Sequence, residues 1–127
     1  MLEVHAKNLG TVAVLCLQGR IVIGETEILR NAIDSLPEVS AVILDLARVT
    51  IADAHGLGVL LELRAQAESK GIRFELMNVT KWVNKMLEIS RLNSVFQITS
   101  GIEFFPTVSR SQREALATHG AKLASCA

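Results

Sequence analysis

Ala41-Val42-Ile43-Leu44-Asp45-Leu46, followed by Ile51-Ala52-Asp53-Ala54-His55-Gly56-Leu57-Gly58-Val59-Leu60-Leu61, is the stretch that decides the fold. The first six residues are nearly all apolar, as in a central strand of a sheet covered by helices. The second run starts with a short acid-bearing loop and passes into a Gly-started, Leu-rich helix. Such a junction sets the loop at a helix N-terminus, where free backbone N–H groups attract negative charge. Position 54, directly after Asp53, is an alanine and has no hydroxyl to modify.

Outward from this junction, the pattern alternates strands and helices. Leu2 to Lys7 alternates apolar with polar residues and predicts an edge strand. Asn8-Leu9-Gly10 predicts a turn, and Thr11 to Leu17 a strand buried on both faces. Glu25 to Leu36 puts Ile28, Leu29, Ala32, Ile33 and Leu36 on one helical face, with Gly24, Glu25 or Thr26 at its start and Pro37 ending it. The helix Gly56 to Lys70 carries Gly56, Leu60, Leu63 and Ala67 on one stripe, and Gly71 stops it. Ile72 to Met77 alternates as a strand. Thr80 caps a helix holding Val83, Met86 and Leu87. Val95 to Ile98 predicts a short final strand, and a last helix is expected over 109–117.

Helices alternating with strands imply crossovers and a largely parallel sheet. The expected fold is α/β: a small mixed sheet of about five strands with about four helices, in one domain over residues 1–118. Residues 119–127 read as a frayed tail.

The chain has 127 residues, half of them apolar, with thirteen basic and thirteen acidic residues in balance. That composition suits one globular domain with a real core. Charge neutrality argues against nonspecific nucleic-acid or anionic-membrane binding, and it gives little protection against self-association. Aromatics are scarce: Phe74, Phe96, Phe104, Phe105 and Trp82, without a tyrosine. A base-stacking surface is not expected. Cys16 reads as a small core residue, Cys126 is penultimate, and a disulfide between them is not favoured. No signal-peptide pattern opens the sequence and no apolar run reaches about 18 residues, so the expectation is a cytoplasmic protein without membrane insertion.

The chain resembles the STAS domain family, the bacterial anti-sigma factor antagonists. The resemblance rests on Ala41 to Leu46, Val49, Asp53, Gly56 to Leu60, Gly71, Asn78 to Val83, and Leu92 with Phe96. It covers residues 5 to 117. It implies a small mixed sheet with helices packed mainly on one side. It also implies a regulator that docks an anti-sigma factor kinase or related regulatory protein. In that family the residue after the Asp is usually a serine that the kinase phosphorylates to release the complex. A phosphate adds close to two negative charges at that spot. Here Ala54 stands in the phosphoacceptor place and His55 follows, so the usual switch cannot operate. Thr50 is the nearest hydroxyl that could be modified instead.

The expected partner-binding residues are Asp53, Ala54, His55, Gly56, Leu57, Gly58 and Trp82. Each has a plainer role. Asp53 can cap the helix, the glycines can let the helix pack closely on the sheet, and Trp82 can be core. His55 beside Asp53 suggests acid–base chemistry, but no nucleophile adjoins them, so no enzyme activity is expected. His5, His55 and His119 are widely spaced and do not form a metal-ligand pattern. Gly56 and Gly58 alone do not make a nucleotide-binding fingerprint, and no cofactor is expected. Two other readings stand beside the docking regulator: a structural STAS subunit of a signalling scaffold or transporter-associated complex, including self-association, and a small-ligand-binding STAS domain.

Overall fold

The computed structural model describes residues 1–99. Their elements are β1 (Glu3–Leu9), β2 (Val12–Ile21), α1 (Thr26–Asp34), β3 (Ala41–Ala52), α2 (Ala54–Ser69), β4 (Arg73–Met77), α3 (Lys81–Ile89) and β5 (Gln97–Thr99). The sheet order is β1-β2-β3-β4-β5. Only the β1–β2 pair is antiparallel, and the others are parallel. The expected mixed, largely parallel sheet of five strands is therefore present. Three of the helices fall in this region. The expected helix over 109–117 and tail over 119–127 lie outside the described residues.

The continuous apolar runs work as expected for strands covered on both faces. Leu15, Leu17, Val42, Leu44, Leu46, Phe74 and Leu76 join Leu29, Leu57, Leu60, Leu63, Val83 and Leu87 of the helices in the main core. The alternate residues Val14, Cys16, Ile43 and Met77 form a second, smaller buried cluster on the other face. Asp45 and Glu75 are two residues along from Ile43 and Met77, and both are buried. Cys16 is disulfide-bonded, with its partner outside the described residues. This corrects the expectation of a plain core thiol, because spacing along the chain carries no information on which sulfurs meet in space.

Two strands run further than their apolar runs suggest. β3 continues past Leu46 to Ala52, and β2 past Leu17 to Ile21. The register between them shifts twice, between Cys16 and Gln18 and between Gly19 and Arg20. Such irregularities break the alternation that sequence reading relies on. The helix after them, α2, ends as Gly71 predicts: this residue takes φ +73°, and the amides of Gly71 and Ile72 donate to the carbonyls of Glu68 and Ala67.

Candidate functional site

The site grows from the last residues of β2 and β3, which lie side by side where Ile21 pairs with Ala52. Directly after Ala52, Asp53 takes an extended conformation and caps α2. Its Oδ1 accepts from the Gly56 N–H at 2.7 Å. Its Oδ2 accepts from the Ile23 N–H at 3.0 Å, across 30 residues of chain. The Asp53 N–H in turn donates to the Ile21 carbonyl at 3.2 Å. One side chain thus fixes both the start of α2 and the loop between β2 and α1.

These bonds favour the ionised carboxylate. The Ile23 N–H, then that of Gly56 and the nearby His55, hold the Asp53 carboxyl below the usual carboxylate range, against a desolvation effect that would raise it. With both oxygens engaged by backbone, Asp53 builds the surface more than it offers groups to a partner.

Gly56 and Gly58, paired in the sequence reading, do different things. A Cβ on Gly56 would fall on the carbonyl oxygen of Ile21, so the helix can approach the sheet only with glycine there. A Cβ on Gly58 would meet nothing within 4 Å. Gly58 is half-buried, and packing does not require a glycine there. Leu57 is buried in the main core. Of the loop residues singled out from sequence, Ala54 and His55 are exposed, Asp53 and Gly58 are half-buried, and Gly56 and Leu57 face inward.

His55 lies with its Nε2 3.4 Å from the hydroxyl of Thr26, which is itself buried. The hydroxyl of exposed Thr50 donates to the Gly19 carbonyl at 3.2 Å. Around this junction stand two exposed apolar side chains that sequence reasoning missed: Ile23, 70% exposed, and Ile51, 46% exposed. Alternation within β3 is the only signal that could have found Ile51. Nothing local marks Ile23, because its position is set by the bond to Asp53.

Trp82 sits on α3, one residue past its start, and is 71% exposed. It is not core; Val83 and Leu87 supply the buried side of that helix. Thr80 caps α3 through the Val83 N–H and donates its hydroxyl to the Val49 carbonyl, which ties the helix to β3. Among the described residues no group of three or more His, Cys, Asp or Glu side chains could hold a metal ion. No helix there is long and apolar enough to cross a membrane.

Solved structures of the same fold include several anti-sigma factor antagonists. SpoIIAA in its unphosphorylated form is 18% identical, with a TM-score of 0.66, covering 93% of this chain and 97% of that one. An anti-sigma factor antagonist from Mycobacterium paratuberculosis is 18% identical, with a TM-score of 0.64 and coverage of 93% and 95%. A sulfate transporter family protein from Wolinella succinogenes is 20% identical, with a TM-score of 0.65 and coverage of 85% and 88%. At these identities the likeness is one of fold. A family model described as Mlab, STAS domain, matches residues 4–99, from the first strand to the last described one. The chain belongs to the STAS domain family.

Proposed function

We propose that this chain is a protein-docking regulator whose binding surface is the exposed rim around the start of α2. The rim consists of Ile23, Ile51, Ala54, His55 and Gly58. The partner is an anti-sigma-type kinase or a related regulator, and the domain over residues 1–118 acts as one unit. The observation that carries this reading is the pair of exposed isoleucines held beside the Asp53 cap. Clustered exposed apolar side chains at a rigid junction are what a protein partner desolvates. The rim also holds Ala54 where relatives of this kind carry a phosphorylatable serine, so docking there is not switched by an ester at that position. Catalysis is not part of the reading, since both oxygens of Asp53 are occupied by backbone N–H groups.

The test is a calorimetric titration of the purified protein with the purified kinase encoded nearest to it, repeated with Ile23→Ser. The expected result is binding that weakens at least about tenfold in the variant, with folding intact. Equal affinity would move the interface off this rim. A second reading, a structural STAS subunit associated with a transporter, draws support from the fold match to the Wolinella succinogenes protein and from the missing phosphoacceptor. It predicts binding to a transporter component in place of a kinase.

A further inference from the structure

The outer face of α3 carries two large apolar side chains in solvent: Trp82, 71% exposed, and Ile89, 69% exposed. Lys81 and Lys85 flank the indole, both exposed, and neither joins an ion pair among the described residues. The one acid beside them, Glu88, accepts from the Asn84 side chain at 3.1 Å. The result is an apolar knob with two cations available beside it.

A groove of opposite character lies elsewhere on the molecule. Ile33, Leu36, Val39 and Ile72 give it an apolar floor. Asp34 and Glu38 stand on its edge, both exposed and neither in an ion pair among the described residues. Lys70 is the one cation among its described lining residues.

The topology puts knob and groove at opposite ends of the sheet. The groove takes in Ser40, Val42, Ile72 and Phe74, at the N-terminal ends of the parallel strands β3 and β4. The knob sits on the helix that follows the C-terminal end of β4, and Thr80 ties that helix to Val49 late in β3. One copy therefore cannot fill its own groove.

We propose that the occupant of the groove is a second copy of this chain: Trp82, with Lys81 and Lys85, docks into the groove edged by Asp34 and Glu38 of its neighbour. The signs match, and a buried indole is a common anchor of protein interfaces. Equal numbers of acidic and basic residues leave no net charge to hold copies apart. Such a contact is head-to-tail. Each added copy presents a fresh knob at one end and a fresh groove at the other, so association continues as a row or closes as a ring. The inference draws on neither Ile23 nor Ala54 and does not depend on the docking reading of the rim.

Trp82 is the only tryptophan of the chain, so its emission reports on its own burial. Light scattering and tryptophan emission of the full chain are followed from about 1 µM to about 1 mM. Mass is expected to climb above the monomer while emission shifts to the blue with the same midpoint. A knob variant, Trp82→Ala with Lys85→Glu, and a groove variant, Asp34→Lys with Glu38→Lys, are each expected to associate at least about tenfold more weakly. Mixed one to one, the knob variant's intact groove meets the groove variant's intact knob, and association stops at two copies. Ile23→Ser is expected to associate like the wild type, which separates this test from that of the rim. A wild type that stays monomeric throughout overturns the proposal. So does a mixture that never dimerises, or an emission shift seen only with phosphatidylglycerol vesicles.

Discussion

Oδ2 of Asp53 holds the backbone N–H of Ile23 at 3.0 Å, so one carboxylate joins two loops that are 30 residues apart in sequence. Asp53→Asn keeps one acceptor oxygen but turns an N–H donor toward one of the two amides. The variant is expected to lose about 1–2 kcal/mol of stability, the usual range for a lost cap or an unsatisfied amide. The folded-state pKa of Asp53 is depressed, so its stabilisation is present above the unfolded value of about 4 and lost as pH falls through the folded value. Urea unfolding should therefore show a full gap between wild type and variant at pH 7 that closes at pH below about 4. A gap independent of pH would mean that the charge of Asp53 is not what the two amides read.

The two glycines of α2 should respond in opposite directions. Gly56→Ala sets a methyl against the Ile21 carbonyl, which is backbone and cannot swing aside. A cost of about 3 kcal/mol or more is expected. Gly58→Ala meets open space in a helix interior and should gain about 0.5–1 kcal/mol. Thermal melts of both variants decide this. If Gly58→Ala also weakens partner capture while raising the melting temperature, binding and folding separate at this one position.

Burial raises the Asp45 carboxyl above the usual range, against lowering by the Ala47 N–H, the Asn78 amide and the charges of Lys7 and Arg48. Its Oδ2 has no hydrogen-bond partner among the described residues. A raised folded-state pKa means the folded chain holds the proton more tightly than the unfolded one. The cost of ionising Asp45 is therefore absent below about pH 4 and grows as pH rises through the folded value. Asp45→Asn should stabilise by about 1 kcal/mol at pH 7 and by less at pH 4, read from urea midpoints. A destabilised variant at pH 7 would show that the carboxylate is compensated by its neighbours.

Adding a hydroxyl tests the proposed switch. With the proposed partner kinase and ATP, the wild type should gain no phosphate at position 54, and Ala54→Ser should gain one on the exposed first residue of α2. Phosphopeptide mass spectrometry reads this directly. Label on Thr50 in the wild type would place regulation there, at the expense of its hydrogen bond to Gly19.

The strand cores were legible because the continuous apolar runs at Thr11 to Leu17 and Ala41 to Leu46 are too short for helices and too apolar for a solvent-facing edge. The far ends of β2 and β3 were not, since the register shifts between them put Val49 and Ala52 inside without regular alternation. The same contrast holds in the site. The bond from Asp53 to Gly56 follows from a spacing of three and was readable as a cap. The bond to Ile23 reaches back across all of α1 and β3 and was invisible. Alternation from Ile72 to Met77 marks a strand but not what covers each face: Glu75 is buried with its Oε1 2.7 Å from Arg73, a layer that only the folded sheet reveals.

The carbonyl of Ile21 receives the Asp53 amide and also sets how closely α2 can lie at Gly56, while Ile23 is bound two residues further on. Opening either loop alone would strand a donor or an acceptor on the other. The amides of Ile23, Asp53 and Gly56 should therefore trade their protons for deuterons as a single cooperative unit, at one common rate set by the parting of both segments together.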